Sequence, residues 1–295
     1  MTDKSWNIGL IGIGNMGNPM GGNLIKAGWN VTVYDTDAGK MHAFTTAHGG
    51  AAATSLAELG RKSDVVITML PDGFVVRRVV LGGDDCLVKG LAKGATIIDM
   101  SSSAPVGTRK LGEDLRQYGI SLIDAPVSGG VRGAIAATMS IMIGGDPALA
   151  ERFDALLAAM GKRFYVGSLG AGHAAKVLNN YVSAAGLAAA AEAVRVAERF
   201  GIEPQVLVNV INASTGRNNS TENKFAQFIL NGKFNSGFAL GLMAKDLALA
   251  MEVAEACHVP AELGHATLAL WKKAESAVGA KADHTEIARY VNEQG

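Results

Sequence analysis

Residues 7–35 constrain this chain more than any other stretch. They open N-I-G-L-I-G-I-G-N-M-G, continue through an amphipathic segment that stops at Gly28, and close on V-T-V-Y-D. The apolar run Ile8, Leu10, Ile11 and Ile13 reads as a buried parallel strand. It leads directly into Gly12-Ile13-Gly14-Asn15-Met16-Gly17, a G-x-G-x-x-G turn, and the second strand ends in an acid, Asp35. Each part of that frame has a task in holding a dinucleotide. Gly12 permits the tight turn, Gly14 lets the backbone approach a pyrophosphate, and Gly17 lets helix and strand pack closely. The helix N-terminus presents free N–H groups and positive dipole to the phosphates. Asp35 is placed to accept hydrogen bonds from the adenosine ribose hydroxyls. Asp35 would repel a 2′-phosphate, and Thr36-Asp37-Ala38 supplies no base before Lys40, so NAD is expected in preference to NADP.

The strand–helix alternation continues. Residues 64–70, 96–100, 120–124 and 139–143 read as strands, with a last short one at 163–166. Such alternation predicts an α/β domain built on a doubly wound, mainly parallel sheet. Ligands in these sheets lie off the C-terminal strand ends. Leu70-Pro71, Ser102 and Ser128 follow such ends and are expected to line one crevice. The turn Ser128-Gly129-Gly130 exposes successive backbone N–H groups, a pattern that forms either an anion nest or an ordinary strand-to-loop turn.

Strand signals stop near residue 167. A nucleotide-binding domain over 1–167 and an all-helical domain over 168–295 are expected, joined by a long interdomain helix over residues 171–200. Lys176 and Asn180 lie four apart on one face of that helix. Further helices are expected at 204–212, 238–256, 261–276 and 284–292, with a polar loop at 214–220. Of the six histidines only His173 is near Lys176. No His/Cys/Asp cluster has metal-ligand spacing.

The formal net charge is zero and nearly half of the 295 residues are apolar. Nothing in that balance favours nucleic acid or an anionic membrane as partner. Cys86 and Cys257 form no metal or redox motif and are expected as buried free thiols in a reducing compartment. The opening M-T-D-K-S-W lacks a secretory pattern. The Ala-rich stretch 183–197 is interrupted by Glu192 and Arg195, so a cytoplasmic protein without membrane spans is expected.

Four segments, in order, resemble the β-hydroxyacid dehydrogenases, typified by 3-hydroxyisobutyrate dehydrogenase and tartronate semialdehyde reductase. They are G-L-I-G-I-G-N-M-G-N-P-M from Gly9, D-A-P-V-S-G-G from Asp124, G-A-G-H-A-A-K-V-L-N-N from Gly170, and K-D-L-A-L-A from Lys245. The resemblance implies a Rossmann domain followed by an all-α domain, and an NAD-dependent enzyme that moves a hydride between the cofactor and a small β-hydroxy acid or semialdehyde. It implies Lys176 as general acid/base, Ser128, Gly129 and Gly130 on the substrate carboxylate, and Asn180 on the substrate hydroxyl. It implies cofactor contacts from Gly12, Gly14, Asn15, Met16, Gly17, Asp35, Leu70, Pro71, Ser102, Phe238 and Lys245, with Asp246 positioning its helix. A free lysine titrates near roughly 10.4, so such a role calls for a lowered pKa, which desolvation between the domains with Lys245 nearby would supply.

The sequence departs from the family at Ala137, where a glycine is usual, and at His173, where Gln is frequent. A-G-H-x-x-K also resembles the related 6-phosphogluconate dehydrogenases. Those carry a Glu seven residues past the lysine, where this chain has Ser183, so a decarboxylating sugar-phosphate enzyme is not expected. Reduction of tartronate semialdehyde or of another small polar acid aldehyde, sulfonated or polyhydroxylated, is the alternative. Arg217, Asn218 and Asn219 favour an oxygen-rich substrate. A non-catalytic dinucleotide-binding protein is the reading from another class. The helical half is expected to form a homodimer or homotetramer.

Overall fold

The computed structural model describes residues 6–293; residues 1–5, part of the opening segment considered for a signal pattern, lie outside them. The chain divides into two compact units, Met1–Lys176 and Val177–Gly295.

The first unit is built on a nine-stranded sheet. Its strands are β1 (Asn7–Ile11), β2 (Asn30–Tyr34), β3 (Ala51–Ala52), β4 (Val65–Thr68), β5 (Thr96–Asp99), β6 (Ser121–Asp124), β7 (Val127–Ser128), β8 (Met139–Gly144) and β9 (Gly161–Gly167). The first six run parallel in the order β3-β2-β1-β4-β5-β6. β8 lies antiparallel to β6 and β7 and parallel to β9. Strands β4 and β5 are buried at every position, Thr68, Thr96 and Asp99 included, as expected for central strands of a parallel sheet covered on both faces. Two apolar clusters cover the sheet, one around Leu10, Phe44 and Phe153, the other around Leu59, Val66 and Ile97. Because β2 and β4 flank β1 on either side, the chain reverses its winding direction at the end of β1. The crevice at such a reversal is where open α/β sheets bind ligands.

Helix Ala171–Phe200 starts in the first unit and continues through the second. Its first turn is pressed against the sheet. A Cβ on Gly172 would collide with the carbonyl oxygen of Met142, and would stand 2.9 Å from Asp124 Oδ2. Glycine at 172 is therefore a condition of the close approach, not a flexible joint.

The second unit is helical. Pro204–Asn212, Leu240–Ala256, Glu262–Val278 and Ile287–Glu293 pack with the later turns of Ala171–Phe200 around Leu187, Phe225, Leu247, Trp271 and Ile287. The expected polar loop contains a short helix, Asn219–Asn223, followed by a π-helical turn at Phe225–Ile229. Among the described residues no helix is long and apolar enough to cross a membrane. One expectation is corrected. Cys86 is buried, but Cys257 is exposed, because it is the C-cap residue of Leu240–Ala256, past the last turn that packs into the unit.

Adding a methyl group at the helix start tests the packing. Gly172→Ala should lower unfolding free energy by about 1–3 kcal/mol, the usual cost of overpacking, read by urea denaturation. An unchanged midpoint would mean that the helix start yields easily.

Candidate active site

The glycine turn is fixed from both sides. Gly12 has φ +89°, and its N–H donates to Tyr34 O at 3.0 Å. A Cβ on Gly17 would collide with the carbonyl of Gly12, so helix Gly17–Lys26 can begin this close only with glycine there. Around Gly14, by contrast, a Cβ would meet nothing within 4 Å, and Gly14 and Asn15 are exposed while Met16 is half-buried. This is a backbone surface that a pyrophosphate can approach. Asp35 ends up next to the turn through its own hydrogen bonds. Oδ2 accepts from Ile13 N at 3.0 Å and Oδ1 from Asp37 N at 3.0 Å. A carboxylate has about four lone-pair sites, so acceptor capacity is left for a ribose. These residues are suited to a dinucleotide.

Beside the turn, Leu70 N donates to Ser101 Oγ at 3.0 Å, which ties the exit of β4 to the exit of β5. Pro71 is exposed and Ser102 half-buried. Ser128 closes β7, opposite Ser140. Gly129 (φ +125°) and Gly130 (φ +60°) then turn the chain into helix Gly130–Ala136 with both glycines exposed.

Three residues before Lys176, His173 is completely buried. Its backbone N–H donates to Asp124 Oδ2 and that of Gly170 to Asp124 Oδ1, both at 2.7 Å. Its ring reaches Thr108 Oγ1 through Nδ1 at 2.9 Å and Ser101 O through Nε2 at 3.1 Å. Asp99, in turn, accepts from Thr68 Oγ1, Ser101 N and Ser103 Oγ. Two buried carboxylates at neighbouring strand ends, Asp99 and Asp124, flank the imidazole at 3.7 and 3.6 Å. Lys176 follows on the same helix and is half-buried.

In the second unit Asn180 is buried. Its Nδ2 donates to Asp246 Oδ2 at 2.7 Å, which leaves the second amide hydrogen for another acceptor. Lys245 Nζ lies 3.8 Å from Asp246 Oδ1. Phe238 is half-buried, with its ring edge-on to His284 at 5.6 Å. Asn218 spends its side chain capping helix Asn219–Asn223, and Arg217 is exposed beside Glu222 at 3.6 Å. The loop therefore offers less free polarity than its composition predicted.

Two family models divide the chain between them. The one described as the NAD binding domain of 6-phosphogluconate dehydrogenase matches residues 7–170. The one described as NAD-binding of NADP-dependent 3-hydroxyisobutyrate dehydrogenase matches residues 170–291. The 2-(hydroxymethyl)glutarate dehydrogenase of Eubacterium barkeri is 38% identical over 88% of this chain and 85% of its own. The mitochondrial 3-hydroxyisobutyrate dehydrogenase of Rattus norvegicus is 34% identical over 97% of this chain and 87% of its own. The chain belongs to the β-hydroxyacid dehydrogenase family. The solved structure of Mycobacterium tuberculosis 3-hydroxyisobutyrate dehydrogenase with L-serine superposes with TM-score 0.88 at 36% identity, covering 97% of this chain and 99% of that one. Like its relatives, this β-hydroxyacid dehydrogenase is an oxidoreductase acting on a CH–OH group and carries NAD(P)-binding domains.

Sequence reasoning did not find the polar group around Lys224. Lys224 Nζ donates to Ser183 Oγ at 3.3 Å, and burial lowers its ammonium to about 8 against the pull of Asp283. Burial works to raise the Asp283 carboxyl, but hydrogen bonds from Thr285, Ser236 and Gly237 hold it below its ordinary value. Burial, and next the Lys224 charge, lower the His284 imidazole from 6.5 to about 4. The one legible signal was the adjacent Asp283-His284 pair, in a segment read only as helix.

The His284 shift has a stability consequence. Its folded pKa lies below its unfolded one, so between pH 6.5 and about 4 the unfolded chain binds more protons. Unfolding free energy should fall across that window as pH falls, by roughly 3 kcal/mol for this group. His284→Gln should remove this pH dependence, so the wild-type-minus-variant difference in unfolding free energy should itself fall as pH is lowered through that window, measured by chemical denaturation at stepped pH. A difference independent of pH would mean that His284 is not held neutral.

Proposed function

We propose that this protein is an NAD-dependent dehydrogenase of a small β-hydroxy acid, 3-hydroxyisobutyrate-like, with Lys176 as the proton-transfer group. The observation that carries the reading is the fixed start of helix Ala171–Phe200, where Asp124 and His173 hold the turn from which Lys176 projects. The cofactor, held by the Gly12–Gly17 turn and Asp35 with Leu70, Pro71, Ser102, Phe238 and Lys245, supplies the hydride acceptor. Ser128, Gly129 and Gly130 take the substrate carboxylate. Lys176 accepts the hydroxyl proton in oxidation and returns it in reduction. Asn180, oriented by Asp246, donates its remaining amide hydrogen to the substrate oxygen.

NAD is preferred over NADP because Asp35 stands at the ribose end and the first base after it, Lys40, lies 4.0 Å from Asp37. A second reading, a polar semialdehyde reductase, has the same residues in the same roles and differs only in substrate. An oligomer is supported by an apolar stripe on helix Ala171–Phe200, where Val182, Val196 and Phe200 are 69%, 68% and 85% exposed. A homodimer or homotetramer through that face would appear in sedimentation velocity.

Initial rates over a panel of β-hydroxy acids and semialdehydes, followed by NADH absorbance, test the function. Lys176→Ala should abolish turnover, a loss of at least about 1,000-fold, with NAD affinity kept within a few-fold; retained turnover removes the lysine from the chemistry. Asp35→Ala should raise the KM for NAD, and a wild-type preference for NADP would reverse the reading of the second strand.

A further inference from the structure

Ser183 stands seven residues past Lys176 on the helix. At 100° per residue it returns to within about 20° of the same direction, with Asn180 between them, and it lies roughly 10 Å along the axis. Ser183 is therefore the third polar position of the stripe that carries the proposed chemistry. It is also the position at which Lys224, arriving from the C-terminal end of helix Asn219–Asn223, delivers its ammonium.

The ammonium makes no direct ion pair among the described residues, and Asp283 attracts it only from a longer distance. Its hydrogen bond is to a neutral hydroxyl, at 3.3 Å. The neighbouring carboxylate, Asp283, is already engaged. Its Oδ1 accepts from Thr285 N at 3.0 Å, Thr285 Oγ1 at 2.6 Å and Ser236 Oγ at 2.8 Å, and its Oδ2 from Gly237 N at 2.8 Å. His284, held neutral, offers no negative charge. A desolvated cation without a close anion costs stability. An incoming anion recovers that cost, and the attraction in a partly desolvated setting exceeds that of a surface lysine.

We propose that Lys224 and Ser183 bind a second acidic group of the substrate, so that the hydroxy acid taken by this protein is a dianion. The inference rests on the reading of Lys176 and Asn180 given above. In 2-(hydroxymethyl)glutarate a second carboxylate stands on a two-carbon arm where 3-hydroxyisobutyrate has only a methyl group, so only the former has an acidic group to offer Lys224. Arg217 and Asn219, the loop residues that composition singled out, are exposed; the specificity element is the half-buried lysine after them.

The test compares 2-(hydroxymethyl)glutarate, with two carboxylates, and 3-hydroxyisobutyrate, with one, on the full chain at saturating NAD near pH 7. Lys224→Met should raise the KM for the dicarboxylate at least about tenfold, as expected for loss of a charge-assisted contact, with kcat little changed. Its kcat/KM for 3-hydroxyisobutyrate should stay within about twofold, and Lys224→Arg should restore most of the dicarboxylate KM. Equal losses on both acids, or no loss on the dicarboxylate, would overturn the inference. So would a wild-type protein that prefers the monocarboxylate, and that result would leave the proposed function standing. Turnover of neither acid, nor of any other β-hydroxy acid in the panel, defeats the proposed function and this inference with it.

Discussion

The proposed chemistry depends first on one buried carboxylate. Asp124 is fully inaccessible, and its two oxygens accept the backbone N–H groups of Gly170 and His173. Those N–H groups are among the ones that a helix start leaves without internal partners. The carboxylate satisfies them, and the positive end of the helix dipole in turn favours the buried negative charge. The arrangement locks the end of β6 to the first turn of a 30-residue helix. Gly172 makes the contact geometrically possible, and the His173 ring extends it to β5 through Ser101 and to Thr108. Lys176 then leaves a turn whose position and rotation are fixed by the sheet.

Much of the frame was legible in the sequence because it is local. The glycine turn, the alternating strands and the helix over 171–200 are written in consecutive residues, and the observed elements follow them to within a few residues. Strands β3 and β7 have two residues each, too few to show a period, and the helix over 219–223 hides in a polar stretch because Asn218 and Thr221 cap it reciprocally. Of the candidate site, the positions were readable and the partners were not. Lys176 and Asn180 share a face by spacing alone. The partners of His173 lie 49, 65 and 72 residues away and that of Asn180 lies 66 away. No local pattern encodes such pairings; they exist only once the strand ends and helices are in place.

The same distinction separates reaction type from substrate choice. Residues with the proposed chemical roles sit on or beside regular elements whose geometry follows from motif spacing. Ser183 reads as an absence, the place where related decarboxylating enzymes carry a glutamate. In the fold that absence acquires content, because a hydroxyl there accepts a hydrogen bond from Lys224, 41 residues later. A glutamate in the same place would pair with the ammonium and neutralise it. A serine leaves the positive charge available to a ligand while still fixing its direction.

A division of labour along the helix follows. Its first turn is tied to buried carboxylates and strand ends, a Cβ at Gly172 would collide with the Met142 carbonyl, and the next turn carries the proposed proton-transfer group. Two turns later the contacts come from a short capped helix and a chain segment around Asp283, held by side-chain hydrogen bonds rather than by a sheet. On the role proposed for Lys224, substitution there would change which anion is met without moving Lys176. A fold arranged in this way could keep one hydride-transfer chemistry and change its acids. Relatives 34–38% identical to this chain are named for both 3-hydroxyisobutyrate and 2-(hydroxymethyl)glutarate, and the chemistry of those two substrates differs mainly in what lies at the far end from the hydroxyl.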